Sequence, residues 1–230
     1  MPTRAHPRAE RPVGLPLAVV LATGNRGKAR EFGRLLGGAL SVDAMPGDMS
    51  LPEETGETFA ANARLKAEAV FLAMGGGVAV LADDSGLEVR ALDGRPGVLS
   101  ARFAGPEATD EANVGKLLGE LAGRPDRQGR FVCCLCLALP AVVSDGTSGV
   151  TIEGGRARLI EVGGVTEGTI TANPRGDDGF GYDPVFQPTG WRLTLAEASP
   201  EDKDRISHRG AAARALLEAL EEEGLLDHGA

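Results

Sequence analysis

The feature that most constrains the fold is an apolar run that leads through a glycine loop into a helix. The run extends from Leu17 to Ala22, and all six residues are apolar. The loop, Thr23 to Lys28, reads TGNRGK, and a charged, helix-like segment continues to Leu36. A short continuous apolar run predicts a buried strand, and a strand followed at once by a helix favours an α/β fold.

The glycine loop has the chemistry of a phosphate-binding turn. Glycines let backbone N–H groups turn inward, a helix N-terminus favours an anion, and Lys28 adds a positive charge. It is not a Walker A motif, because only two residues separate Gly24 from Gly27, and Ala29 instead of Ser or Thr follows the lysine. An ordinary strand–turn–helix connection with a solvated lysine is the alternative, and this segment alone does not decide between them.

The remaining elements alternate between helix and strand early in the chain, and strands dominate later. A mixed sheet in an α/β fold is therefore expected, not a purely doubly wound one. Residues 41–52 are expected to be irregular, and residues 83–86 are expected to form a turn after a strand. Residues 87–92 are expected to form a short strand, and residues 141–172 are expected to be β-rich. The predicted elements are helices over 28–36, 55–74, 107–121 and 208–223, and strands over 17–22, 78–82 and 131–139.

Composition limits what the chain can bind. Its 230 residues, 42% hydrophobic and 25% charged, suit one large domain or two closely joined lobes. A net charge of -9 argues against general binding of nucleic acid, and an anionic ligand would need local cations or a metal. No apolar stretch reaches the length of a membrane span. Residues 1–15 are interpreted as a loose tail, residues 16–225 as one domain and residues 226–230 as a second tail.

The three cysteines lie together in FVCCLCLALP. A continuous apolar run predicts a buried strand in which Cys134 and Cys136 share one face and Cys133 points to the other. We interpret them as core thiols, and an unpaired odd set fits a reducing cytoplasm.

Asp83 and Asp84 follow the predicted buried strand, at the edge where ligands of α/β sheets bind. Two adjacent carboxylates repel each other, and a divalent metal would relieve that cost. The alternative is a capping Asp beside a turn Asp. Glu53, Glu54 and Glu57 offer further carboxylates, although glutamates before a helix are often a solvated helix start.

Two late motifs suggest recognition of a base. The segment GFGYDP, residues 179–184, places two aromatic residues and a carboxylate among glycines, where a ring can stack on a base. A hydrophobic anchor for the loop is the alternative. His208 and Arg209 lie near a helix start and suit ligand contacts, whereas a Ser-His-Asp hydrolase is disfavoured because Ser85 is not in a G-x-S-x-G elbow.

Six motifs occur in order across residues 18–220: ATGNRGKAREF, EETGETFAANARLKA, ADDSGLEV, GRPGVLSARFAG, GFGYDPVF and SHRG. This order closely resembles the inosine triphosphate pyrophosphatase family, also called Ham1-like. The resemblance implies a long mixed β-sheet with two α/β lobes flanking a central substrate cleft. It also implies hydrolysis of ITP, dITP and XTP to the monophosphate and pyrophosphate with Mg²⁺, usually by a homodimer.

The resemblance also assigns roles to residues. Asp84 matches the proton acceptor and metal ligand, and Glu53 matches a further metal-site glutamate, with Glu54 as the alternative one residue on. His208 and Arg209 match the pair at the purine 6-position. The residues matched to substrate binding are Thr23, Gly24, Asn25, Arg26, Gly27, Lys28, Ser85, Phe180, Gly181, Tyr182, Asp183, Lys203, His208 and Arg209.

One departure from the family pattern concerns the metal. The family often has Glu-Asn-Ala in its long helix, whereas this chain has Ala61-Asn62-Ala63, so Glu53, Glu54, Glu57 or Asp83 would have to serve instead. Two rival functions remain at this stage: a Maf-like pyrophosphatase acting on dTTP or UTP, and a nucleotide-binding sensor without catalysis. The paired carboxylates, costly without a metal, weigh against the sensor.

Overall fold

The computed structural model describes residues 17–140, 150–152 and 155–226. The predicted tail over 1–15 and residues 227–230 of the second tail lie outside the described residues. So do residues 141–149 and 153–154 of the segment predicted to be β-rich.

Among the described residues, seven strands form a mixed sheet at the centre of the fold, and the sequence predicts such a mixed sheet. The strands are β1 (Leu17–Ala22), β2 (Leu40–Ala44), β3 (Ala79–Val89), β4 (Gln128–Pro140), β5 (Val150–Ile152), β6 (Gly155–Ile170) and β7 (Phe186–Pro188). Their order is β2-β1-β3-β4-β6-β5, and β7 pairs with β6. The first three strands are parallel to one another, and the later pairings are antiparallel.

Each α-helix of the described residues begins at a side chain that caps its first turn. Asn25, Thr58, Thr109, Ser199 and Ser207 each accept a hydrogen bond from a backbone N–H of the helix that follows. The helices are α1 (Arg26–Leu36), α2 (Phe59–Ala73), α3 (Asp110–Glu120), α4 (Pro200–Ile206) and α5 (His208–Glu222), with short 3₁₀ helices at Arg90–Leu92, Gly97–Arg102 and Asp183–Val185.

Three local predictions were wrong. Residues 40–44 form β2 instead of irregular structure, because Leu40 to Ala44 pair in register with β1. Residues 83–86 are not a turn: β3 continues through them to Val89, because it pairs with β4 along nearly its whole length. The helix predicted from Thr55 starts at Phe59, since Thr58 caps it.

Apolar packing divides into two regions along β3 and β4, which agrees with the two lobes that the resemblance implies. In the first region, α1 and α5 cover one face of the sheet and α2 covers the other. In the second region, residues of α3 and β7 pack against the last part of β3, with Leu87, Leu117 and Phe186 fully buried.

The cysteines occupy the predicted faces of β4. Cys133 packs on the side of α1 and α5, whereas Cys136 packs on the side of α2 with half-buried Cys134 beside it. All three are free thiols, and burial raises the pKa of Cys136 to about 12. Within the part of the chain that the structure describes, no helix has both the length and the apolar character needed to cross a membrane.

Candidate active site

The glycine loop lies at the carboxyl end of β1 and opens to solvent. Asn25 caps α1 by accepting hydrogen bonds from the backbone N–H groups of Gly27 and Lys28, at 2.8 and 3.2 Å. Gly24, Asn25 and Arg26 are exposed. The N-terminus of an eleven-residue helix is therefore available to an anion.

Glycine is required at position 27 because the loop packs closely against the Phe180 ring. A Cβ at this position would lie 2.8 Å from the ring of Phe180, so only glycine lets the loop touch that ring. The predicted phosphate loop and the predicted base platform are thus in direct contact, although 153 residues separate them in the sequence (180 − 27).

Asp83 faces the side of the sheet that carries α1 and α5. Its Oδ2 atom lies 2.7 Å from the Lys28 Nζ atom and accepts a hydrogen bond from the Ser85 hydroxyl at 3.1 Å. Burial alone would raise the pKa of Asp83, but Lys28, Arg209 and Lys66 outweigh it and hold that pKa below its usual value. Asp83 is therefore an ionised partner for cations.

Asp84 faces the opposite side of the sheet, under α2, because successive strand residues alternate. Its Oδ1 atom lies 3.2 Å from the Lys66 Nζ atom, and its Oδ2 atom accepts a hydrogen bond from the Asn62 amide at 3.1 Å. Burial is the main cause that raises the pKa of Asp84; Glu54 adds to it and Lys66 opposes it. A desolvated carboxylate with a raised pKa is suited to accept a proton.

Glu54, not Glu53, is the glutamate beside Asp84. The Lys66 ammonium bridges them, at 2.7 Å from Glu54 Oε1, and Arg102 approaches Glu54 Oε2 at 3.3 Å. Glu53 is exposed. The sequence left the choice between these two neighbours open, and the structure brings only Glu54 to the predicted base.

The pair of Glu54 and Asp84 fits a magnesium ion that relies on the substrate for further ligands. Two carboxylates already share one cation there, the Lys66 ammonium. Mg²⁺ is usually held by one or two carboxylates, waters and substrate phosphates. Across residues 17–140, 150–152 and 155–226, no group of three or more His, Cys, Asp or Glu side chains could hold a metal by itself.

Two cationic side chains lie near the Phe180 ring. The Arg209 guanidinium is 4.8 Å and the Lys203 ammonium 5.1 Å from the ring centroid. Glu31 pairs with both cations, at 3.0 Å from Arg209 and 2.5 Å from Lys203. Arg209 also donates to the Ser85 hydroxyl at 2.9 Å, which connects this group to Asp83.

The other residues of the aromatic loop, residues 179–184, hold Phe180 in place. The Asp183 carboxylate accepts a hydrogen bond from the Phe180 backbone N–H at 2.9 Å and lies 2.7 Å from the Lys203 ammonium. Tyr182 is buried, and its hydroxyl donates to the Ser100 backbone carbonyl at 2.9 Å. The Gly181 N–H donates to Asp110. In this structure Tyr182 anchors the loop instead of lining its open side.

His208 stacks on Phe131, a residue of the second region of apolar packing, with 4.5 Å between the ring centroids. It is 1% exposed, and burial lowers its pKa well below the usual value, so the imidazole is neutral. Among the described residues neither of its ring nitrogens has a partner, nor has the Arg209 Nε atom. Of the predicted 6-position pair, only Arg209 therefore lies beside Phe180.

A cavity of about 200 Å³ opens beside Phe180. Its walls come from α1, the aromatic loop and the start of α4, and they include Gly27, Glu31, Phe180 and Lys203. The predicted substrate residues from both ends of the sequence thus meet around one space.

Three residues of this site, Glu31, Lys66 and Asn62, are not among the predicted site residues. Glu31 gave only a weak signal, as a charged residue three positions after Lys28 and next to buried Phe32. Lys66 and Asn62 gave a better one, because residues four apart share a helix face. Their burial, 4% and 0% exposed, shows that this face is turned inward.

Comparisons with known proteins identify the family. A family model described as the Ham1 family matches residues 19–219. Proteins named dITP/XTP pyrophosphatase are similar to the chain: one from Exiguobacterium sp. is 47% identical, covering 87% of this chain and 95% of that protein, and one from Parasynechococcus marenigrum is 49% identical, covering 87% and 92%.

Solved structures give the same result. The Ham1 protein of Staphylococcus aureus is 39% identical with a TM-score of 0.72, covering 90% of this chain and 99% of that one. A HAM1 protein from Coxiella burnetii is 37% identical with a TM-score of 0.73 and the same coverage. With sequence, family model and fold in agreement, the chain belongs to the Ham1 family.

Proposed function

We propose that the chain hydrolyses the purine nucleoside triphosphates ITP, dITP and XTP to the monophosphate and pyrophosphate, and so removes them from the nucleotide pool. One observation carries the proposal. Two polar groups start from neighbouring residues of β3. On one face Asp84 contacts Lys66, and on the other Asp83 leads through Ser85 and Arg209 to the Phe180 ring. The strand thus brings groups suited to a phosphate close to groups suited to a base.

Mg²⁺ is the proposed cofactor, with Glu54 and Asp84 as its protein ligands. The bound ion would neutralise charge on the phosphates and polarise the phosphorus centre. This assignment moves the second ligand from Glu53 to Glu54, on the contacts described above. It also makes the missing family glutamate at Ala61 dispensable, because Glu54 already reaches the Lys66 ammonium beside Asp84.

Asp84 is proposed to take the proton of the water that attacks the α-phosphorus. A bond forms between the water oxygen and that phosphorus, and the bond from the α-phosphorus to the bridging oxygen breaks. Before a metal binds, burial raises the pKa of Asp84, and this makes its carboxylate a stronger base than an ordinary aspartate.

The departing pyrophosphate needs positive charge around it. Lys28, the N-terminus of α1 and the loop from Thr23 to Lys28 would supply it. Lys28 lies 15% exposed against Asp83, so a phosphate can compete for its ammonium without unfolding the loop. Lys203 is proposed as a further substrate contact at the Phe180 end.

Phe180 is the proposed platform for the base, and Arg209 the proposed donor to the purine 6-position. Hypoxanthine and xanthine carry a carbonyl there, whereas adenine carries an amino group. A mismatch that leaves buried polar groups unpaired gives discrimination of about 10⁴. Guanine has the same carbonyl, so this contact alone does not reject GTP.

We also propose that the protein acts as a homodimer in the cytoplasm. The resemblance to the family supports the dimer, and three free cysteines fit a reducing compartment. Sedimentation equilibrium of the purified chain would test the dimer; a single species of monomer mass would refute it.

Pyrophosphate release tests the reaction. The purified chain would be given XTP, dITP, ITP, GTP and dTTP, each with and without Mg²⁺. Release from XTP, dITP and ITP that requires the metal is expected. Preference for dTTP would indicate a Maf-like enzyme, and no release from any nucleotide would leave only a binding role.

A further inference from the structure

Asn62 is the fully buried polar residue under the predicted catalytic base. It lies on α2, four residues after the capping Thr58, and is 0% exposed. A buried amide must be satisfied on both its oxygen and its nitrogen, so its partners show what it holds together.

Each end of the Asn62 amide has a different partner. The Oδ1 atom accepts a hydrogen bond from the Gly56 backbone N–H at 2.7 Å. The Nδ2 atom donates to Asp84 Oδ2 at 3.1 Å. Chemistry fixes this orientation, because a backbone N–H can only donate and must face the amide oxygen.

Gly56 lies close against the start of α2. A Cβ there would be 2.6 Å from Asn62 Oδ1 and 2.9 Å from the Ala61 Cβ atom. The loop that carries Glu54 is thus packed directly on the helix. Asn62 is a second hydrogen-bonded link from this loop to β3, beside the Lys66 bridge, since the same amide reaches Asp84.

We propose that Asn62 is a positioning residue that holds the Asp84 carboxylate and the Glu54 loop in one fixed arrangement. Asn62 occupies one carboxylate oxygen of Asp84, and the other faces the Lys66 ammonium. This fixes the rotation of the Asp84 carboxylate without adding charge. The inference rests on the proposed function for its effect on turnover, but the Gly56 link stands independently of it.

The chain contains a matched control, Asn113. It is 2% exposed and lies on α3, again four residues after a capping threonine, Thr109. Its Oδ1 atom accepts from the Ala104 N–H at 2.8 Å. Its Nδ2 atom donates to the Ala101 carbonyl at 3.1 Å, a backbone group instead of a catalytic one.

The isosteric substitutions Asn62→Asp and Asn113→Asp separate the two roles of such a residue. Each keeps an oxygen for the backbone N–H and replaces the donating NH₂ group by an oxygen. Asn62→Asp is expected to lower kcat for XTP about 100-fold with KM nearly unchanged, the size of loss that a misplaced reacting group gives. Asn113→Asp is expected to leave kcat within about 3-fold, since mutations far from shared partners act independently.

Two further measurements test whether Asn62 holds Gly56 and acts through Asp84. Hydrogen exchange of the Gly56 amide is expected to accelerate in Asn62→Ala, which removes its acceptor, and to stay slow in Asn113→Ala. In an Asp84→Asn background, Asn62→Asp is expected to cost no further kcat, because Asn62 acts through Asp84. Asn62→Ala also replaces Asn62→Asp in the kinetic test if the latter does not fold.

The outcomes are decisive. Unchanged kcat in both Asn62 variants, an equal loss in the Asn113 control, or Gly56 exchange that ignores Asn62 would each overturn the proposal. A different result would overturn only the proposed function. If Asn62→Ala accelerates Gly56 exchange but the wild-type protein releases no pyrophosphate from any nucleotide, the Gly56 link stands and the proposed function does not.

Discussion

Two neighbouring aspartates on β3 show how one strand builds two different sites. Asp83 faces α1 and α5, pairs with Lys28, and has a lowered pKa. Asp84 faces α2, contacts Lys66 and Asn62, and has a raised pKa. Both are almost fully buried, at 1% and 6% exposed. Burial pushes both pKa values up. At Asp83 the cations Lys28, Arg209 and Lys66 outweigh it, whereas at Asp84 the Glu54 carboxylate adds to it and Lys66 does not overcome it.

The comparison teaches that adjacency in sequence is not adjacency in function. A shared metal between the two carboxylates is the simplest interpretation of an Asp-Asp pair, but a continuous strand points them to opposite faces. Asp83 then serves as an ion-pair partner, and Asp84 as the proposed base.

Asp84→Asn should give the largest loss of activity. Removing a general base costs about 10² to 10⁴ in rate, so kcat for XTP is expected to fall by about 10³. The unfolding midpoint in urea should not fall, because burial disfavours the charged form of Asp84. Near-normal turnover in this variant would contradict the role of Asp84.

Asp83→Asn should act mainly on stability. Removing one partner of a buried ion pair costs about 3 kcal/mol, because Lys28 is left without its carboxylate. Urea unfolding of this variant and of Asp84→Asn, side by side, measures the contrast. A larger stability loss in Asp84→Asn than in Asp83→Asn would reverse our assignment.

Glu54→Gln should raise the Mg²⁺ concentration needed for half-maximal activity by about 10-fold or more, a typical effect of disturbing a metal site. Glu53→Gln is the control, because that side chain is exposed and one residue away. Mg²⁺ titrations of pyrophosphate release compare the two. If Glu53→Gln gave the larger shift, the metal ligand would be Glu53, as the family resemblance first suggested.

The stability of the two aspartate variants should respond to acid in opposite ways. The folded pKa of Asp83 lies below its unfolded value of 3.8, so its stabilisation is present above pH 3.8 and is lost as the pH falls through the folded pKa. The raised pKa of Asp84 works in reverse: its protonated form favours folding at low pH, and that benefit is lost as the pH rises through the folded pKa.

Thermal unfolding between about pH 3 and pH 7 checks this sign. The stability deficit of Asp83→Asn relative to the wild type should shrink as the pH falls below 3.8. A deficit that stays constant over the whole range would show that the carboxylate charge of Asp83 does not stabilise the fold.

Arg64→Ala sets the baseline for the α2 side. Arg64 pairs with Glu68 on the outer face of that helix, with its side chain 41% exposed. Exposed pairs four residues apart contribute about 0.3–0.5 kcal/mol, so urea unfolding should change by no more than that. A larger effect would mean that surface charge, not the buried contacts, governs the α2 side.

The sequence alone determined the elements whose signals are local. The apolar run and glycine loop predicted β1 and α1, and the predicted alternation of the cysteines on β4 was correct. The ordered motifs predicted the family and the mixed sheet, because each motif is contiguous and carries its own chemistry.

Only the tertiary structure decided how those motifs combine. Because β3 pairs with β4 through Asp83 and Asp84, these residues form a strand and not the predicted turn. Their carboxylates therefore point to opposite faces of the sheet. The packing of α2 selected Glu54 over Glu53 and placed Asn62 under Asp84. The contact between Glu31 and Arg209 spans 178 residues of sequence. Local pattern cannot specify such contacts, because they depend on where distant elements pack against the sheet.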